Sequence, residues 1–135
     1  MQRSIHGNHY FLALKWLGYT HIFFLANKSD AATAFQQYEA IIRRNPVQFP
    51  TTLRILRSDN GGEFESSAFQ KVCEVADIER EYSEPHAHYP NGVVERAKRT
   101  ITETTITLLV QSGLPHNLWE YAARHAVYVR NRIPS

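Results

Sequence analysis

A mixed α/β fold is predicted for this chain of 135 residues by three observations. Two short apolar, aromatic-rich runs near the start have strand length and flank a glycine. Further along, apolar residues recur three and four apart in several stretches, which is the helical period. Between those stretches lie two more short apolar runs bounded by turn residues. The resulting order is β-β-α-β-α-β-α-α, a layered arrangement in which a hairpin supplies antiparallel pairing and later strands alternate with helices.

The elements follow in order. Tyr10 to Leu14 and Thr20 to Leu25 read as a β-hairpin around Lys15 to Tyr19, with Gly18 available for the turn. Ala31, Ala34, Phe35, Tyr38, Ile41 and Ile42 mark an amphipathic helix ending near Arg44, before Pro46, with Ser29 or Asp30 placed to cap its first turn. Leu53, Ile55 and Leu56 make a third strand that stops at Ser58-Asp59-Asn60-Gly61-Gly62. Phe69, Val72, Cys73 and Ala76 define a short helix capped by Ser66 or Ser67, and Ile78 to Tyr82 a brief strand. Glu84 to Gly92, with two prolines and a glycine, reads as a loop. Val93 to Val110 then supports a long helix closed by Gly113 and Pro115. A last helix over Asn117 to Asn131 places Leu118, Tyr121, Ala122, His125 and Val129 on one face.

Composition narrows the class. At 43% apolar residues the chain can bury a core. No apolar run reaches the roughly 18 residues that a membrane helix needs, and the start lacks the pattern of a signal peptide, so a soluble intracellular protein is expected. The single Cys73 excludes an internal disulfide and any zinc module built on paired cysteines, and its apolar neighbours make it a core thiol. The formal charge is only +2, but 11 of the 15 basic residues are arginine, the side chain suited to bidentate phosphate contact.

Two carboxylates carry the chemistry. Asp59 follows an apolar strand directly, and open α/β sheets keep their sites at strand ends. Glu95 lies near the start of the long helix, with 35 residues between the two. Taken singly, Asp59 is a turn former and Glu95 a helix-start residue able to pair with Arg99. Brought together, two carboxylates bind divalent metal, and metal-assisted phosphoryl transfer is the chemistry such sites serve.

Leu56-Arg57-Ser58-Asp59-Asn60-Gly61-Gly62-Glu63-Phe64 and Asn91-Gly92-Val93-Val94-Glu95-Arg96, with Arg99-Thr100-Ile101, resemble the two catalytic blocks of the integrase core of retroviruses and copia-type retrotransposons. Lys28-Ser29-Asp30 ahead of Phe35, Leu114-Pro115 with Trp119, and Asn131-Arg132-Ile133-Pro134 follow in family order, so the resemblance covers nearly the whole chain. It implies a ribonuclease H-like mixed sheet flanked by helices and a single integrase core domain over residues 1–135. It further implies, for the intact parent, DNA 3′-end processing and strand transfer with two Mg²⁺ or Mn²⁺ ions, which this chain would hold weakly or not at all. Asp59 and Glu95 would be two of three carboxylate ligands, Asn60 and Asn91 would brace them by hydrogen bonds, and Arg96, Lys98 and Arg99 would hold DNA phosphates. The partners implied are element cDNA ends, target DNA and further copies of the chain, without a membrane. The nucleus and cytoplasmic virus-like particles are the implied locations.

The chain departs from the family pattern in one decisive place. The first catalytic aspartate belongs to an Asp-x-x-Gly-Pro segment on the central strand, and no such segment occurs here. Asp30, the only aspartate before Asp59, matches a helix-start position instead. The expectation is an N-terminally truncated core lacking its first strand and inactive alone. The alternative is a domesticated, non-catalytic remnant that binds nucleic acid or protein. The segment before the glutamate also differs, reading Pro85-His86-Ala87-His88-Tyr89-Pro90-Asn91-Gly92, and its two histidines lack a third metal partner in sequence.

Overall fold

The computed structural model describes residues 2–58, 62–82 and 88–133, of which 62, 63, 82 and 88–95 are described by backbone alone. The elements are β1 (Tyr10–Trp16), β2 (Tyr19–Leu25), α1 (Ala31–Arg44), β3 (Ile55–Ser58), α2 (Gly62–Glu65), α3 (Ser67–Val75), β4 (Glu79–Tyr82), α4 (His88–Ser112) and α5 (Trp119–Arg130). The predicted α/β class and order hold, with the single turn α2 added. The strands differ from one continuous sheet: β1 and β2 pair antiparallel, β3 and β4 pair parallel, and each pair is a two-stranded sheet. The chain divides into two compact units, Met1–Asn27 with Val93–Ser135, and Lys28–Gly92.

In the first unit the hairpin turn is tighter than the sequence predicts. The strands run to Trp16 and Tyr19, leaving Leu17 and Gly18 as a two-residue turn with φ of 50° and 79°. Positive φ at both centres is the hairpin geometry that matches strand twist, and it is strained at Leu17 because a β-carbon is present. Trp119 and Ala123 of α5 and Leu109 of α4 form a buried cluster, with Phe11, Ile22 and Phe24 of the hairpin packed on it. The Phe24 and Trp119 rings meet edge to face at 5.5 Å.

Asn131 locks this packing. Its amide accepts from the Thr20 N–H and donates to the Thr20 carbonyl, both at 2.8 Å, so a side chain takes the place of a neighbouring strand. Residues 2–9, for which no element is predicted, are ordered by the same unit. The Trp119 indole donates to the Gln2 carbonyl, the Ile5 N–H to the Asn117 carbonyl, and the Asn8 amide to buried Glu120.

The buried face of α5 is Trp119, Glu120, Ala123, Ala126 and Val127, whereas Tyr121, His125 and Val129 are exposed. This corrects the predicted face. Both faces carry apolar residues at helical spacing, and the bulk of Trp119 decides which one turns inward. Helix α4 begins at His88, so His88 to Gly92 is helix where the sequence predicts loop. Pro90 falls in the first turn, where the missing N–H costs nothing. The helix closes at Gly113, whose φ of 68° lets its N–H return to Leu109.

In the second unit α1 buries Ala31, Ala34, Phe35, Tyr38 and Ile42. Asp30 sits at its N-cap without making the predicted capping hydrogen bond. Phe35 stacks on Phe69 of α3 at 5.1 Å, both fully buried, each ring contributing about 1.5–3 kcal/mol. Ser66 caps α3 as predicted, accepting from the Phe69 N–H.

Two outcomes follow. Asn131→Ala leaves both Thr20 backbone groups unpaired and is expected to cost about 1–3 kcal/mol of unfolding free energy, measured by denaturant titration. Burial holds His21 on β2 below its ordinary value of 6.5, so the native state favours neutral imidazole. The unfolded chain therefore takes up this proton first, and stability is present above pH 6.5 and lost as pH falls below it. A His21→Gln variant is expected to show a flatter melting temperature over that interval.

Candidate metal and nucleic-acid site

The strand carrying the first block is short and fixed at both faces. β3 pairs with β4 in the register Leu56↔Arg80, Arg57↔Glu81 and Ser58↔Tyr82. Alternation along β4 sends Glu81 outward, where it meets Arg57 at 2.7 Å, an exposed ion pair of little worth to stability. The opposite face of β4 carries Arg80.

Arg80 is the residue that sequence reasoning missed. Its Nη2 donates to Ser58 Oγ at 3.3 Å and to the Phe64 carbonyl at 2.9 Å, and its guanidinium lies 4.7 Å from the centre of the Phe69 ring. Ser58 precedes Asp59 in sequence and Phe64 follows Glu63, so one cation joins the end of β3 to α2. Arg80 also reaches Cys73. Burial pushes that thiol up, and the charge and hydrogen bond of Arg80 pull it partly back, which keeps it a protonated core group. The available signal was a lone arginine between two glutamates in Glu79-Arg80-Glu81, placed by strand alternation on the face away from both.

Of the predicted site residues, Asp59 and Asn60 lie outside the described residues, directly after the end of β3 at Ser58. Asn91 and Glu95 fall on α4, described by backbone alone. Arg96, Lys98 and Arg99 are exposed on the same helix, and Ala97, Ile101, Thr105 and Leu109 form its buried stripe. Lys98 and Arg99 follow Glu95 by three and four residues, the spacing of helix neighbours. Among the described residues no group of three metal-ligating side chains occurs, and no helix is long and apolar enough to cross a membrane.

The Arg80 contacts have a measurable weight. Arg80→Met is expected to lower unfolding free energy by about 2 kcal/mol, because charged hydrogen bonds to Ser58 and Phe64 are both lost. Arg80→Lys should recover only part, since a point charge cannot reproduce the guanidinium fork and its stacking on Phe69. Equal stability of all three proteins would remove Arg80 from this role.

Comparison with known proteins identifies the arrangement. No protein-family model matches the chain. It is 36% identical over 114 residues to the retrovirus-related Pol polyprotein from transposon TNT 1-94 of Nicotiana tabacum, covering 84% of this chain and 8% of that polyprotein. It is 35% identical over 117 residues to that from transposon RE1 of Arabidopsis thaliana, covering 87% of this chain and 8% of the relative. The truncated transposon Ty1-A Gag-Pol polyprotein of Saccharomyces cerevisiae is 32% identical over 88 residues, covering 65% of this chain and 7% of that polyprotein. The chain thus spans less than a tenth of these relatives. Among solved structures, the HTLV-2 integrase catalytic core domain in complex with magnesium, in a trimeric form, superposes with a TM-score of 0.55 at 18% identity, covering 94% of this chain and 87% of that one. A chain of the simian T-cell lymphotropic virus intasome in complex with PP2A regulatory subunit B56 gamma gives 0.63 at 15% identity, covering 88% of this chain and 45% of that one. By sequence this chain is a homologue of a segment of copia-type retrotransposon Pol polyproteins, and its fold is that of an integrase catalytic core.

Proposed function

We propose that this chain serves DNA integration, supplying two of the carboxylates with which an integrase core processes DNA 3′ ends and joins them to target DNA. The observation that carries the reading is the placement of the two blocks in an integrase-core fold. β3 ends at Ser58, directly before Asp59, and α4 carries Glu95 followed by exposed Arg96, Lys98 and Arg99.

Carboxylate oxygens are the donors that Mg²⁺ and Mn²⁺ prefer, so the chemistry of Asp59 and Glu95 fits such an ion. When bound, divalent metal supplies Lewis-acid activation of the attacking oxygen and stabilisation of the leaving one. The chain's own residues do the rest. Arg80 joins Ser58, the residue before Asp59, to Phe64 of α2. Arg96, Lys98 and Arg99 hold phosphates, and each contact released by salt lowers the binding constant in the usual way. Asn60 and Asn91 brace the carboxylates. The working form is an oligomer on DNA ends and target DNA, located in the nucleus and in cytoplasmic virus-like particles.

The rival reading is a non-catalytic remnant that binds nucleic acid or protein. Strand transfer of a labelled DNA end in Mg²⁺ or Mn²⁺ separates the two. The chain is expected to be inactive or nearly so as it stands and active when an Asp-x-x-Gly-Pro strand is joined ahead of Met1. That activity should fall to background in Asp59→Asn and in Glu95→Gln. A joined protein that folds and binds DNA without any transfer would establish the remnant instead.

A further inference from the structure

Arg80 bonds to both residues that bracket the carboxylates of the first block. Its Nη2 donates to Ser58 Oγ at 3.3 Å and to the Phe64 carbonyl at 2.9 Å. Between Ser58 and Phe64 the sequence runs from Asp59 to Glu63. One nitrogen in hydrogen-bond range of both oxygens limits how far apart the two can move. Ser58 is the last residue of β3, and Asp59 is the next residue in sequence.

The arginine and its two acceptors are each fixed independently. Ser58 is buried and stands opposite Tyr82 in the parallel ladder. The Phe64 ring meets the fully buried Phe69 edge to face, at 5.3 Å and 84°. The guanidinium lies over that same Phe69 ring at 4.7 Å, and its side chain also bonds to Cys73. β4 holds the base of the side chain, with Arg80 opposite Leu56. A cation anchored at its base, along its plane and at its tip keeps one direction, and hydrogen bonds from a charged donor are stronger than neutral ones.

We propose that Arg80 is a positioning residue for divalent-ion binding by Asp59, acting through Ser58. Its part is to fix the backbone ahead of Asp59, not to contact the ion. A carboxylate whose neighbouring backbone is already fixed gives up fewer conformations when it takes an ion, so the ordering cost falls before the ion arrives. Groups that orient metal ligands in this indirect way are worth roughly 10–100-fold in metal affinity. The inference rests on the integration reading above, because that reading makes Asp59 an ion ligand.

The test is Mn²⁺ binding by the full chain without DNA, read from the electron paramagnetic resonance signal of free Mn²⁺, with Asp59→Asn as the blank. The dissociation constant is expected to rise about tenfold or more in Arg80→Met and in Ser58→Ala. The double variant should bind no more weakly than the weaker single one, because both substitutions break the same link. Arg80→Lys should regain part of the affinity. Asn131→Ala, which removes the hydrogen bonds to Thr20 in the first unit, should bind Mn²⁺ like the parent, and this separates positioning from loss of stability. Circular dichroism verifies folding of each variant, and Ser58→Ala carries the test alone if Arg80→Met does not fold. Parent-like affinity in Ser58→Ala and Arg80→Met, additive losses in the double variant, or an equal loss in Asn131→Ala would each overturn the proposal. Absence of Asp59-dependent binding in the parent would instead overturn the ion site of the integration reading, and this inference with it.

Discussion

One cation organises the described residues on either side of Asp59, from Ser58 to Phe64. Arg80 reaches Ser58 at the end of β3, Phe64 in α2, the face of Phe69 in α3 and the thiol of Cys73. A strand of four residues in a two-stranded parallel sheet is marginal by itself, because it has few ladder bonds and little buried surface. The guanidinium compensates by connecting that strand to both helices that follow it. The end of β3 and the helix α2 are in this way joined by one rigid, permanently charged group. A flexible ammonium could not span the same partners.

The other unit solves a similar problem with neutral groups. Its hairpin is also a lone pair of strands, and it gains a third hydrogen-bonding partner from the Asn131 side chain and an apolar lid from Trp119 and Ala123. Trp119 is at once core ring and hydrogen-bond donor to Gln2, so the helix that covers the hairpin also orders the N-terminal segment.

Much of this was legible in the residues. The hairpin, α1, the Ser66 cap of α3 and the Gly113 stop all follow from local chemistry that tertiary contacts did not override. The strand end at Ser58 followed from the change from apolar to turn residues. What failed had physical reasons. The face of α5 was misassigned because small and aromatic residues occupy both sides, and only the size of the Trp119 pocket chooses between them. Helix α4 was begun too late because proline and glycine were weighed as breakers, although Pro90 falls in the first turn, where its missing N–H costs nothing, and Gly92 only weakens the helix it joins. Arg80 was invisible because its partners are a serine hydroxyl, a backbone carbonyl and a ring, none of which advertises itself in sequence. Asp59, Asn60 and Glu95 were named from their motifs alone; β3 ends at Ser58, directly before the first two, and α4 carries the third.

The sharing of one divalent ion by Asp59 and Glu95 is what we propose. Residue-resolved paramagnetic broadening on titration with Mn²⁺ tests it directly. The account predicts that amide signals at Ser58 and at Asn91 to Arg96 fade together at the same low Mn²⁺ concentration, and that Asp59→Asn or Glu95→Gln abolishes both effects at once. Broadening centred on His86 and His88 alone, or surviving in either variant, would contradict it.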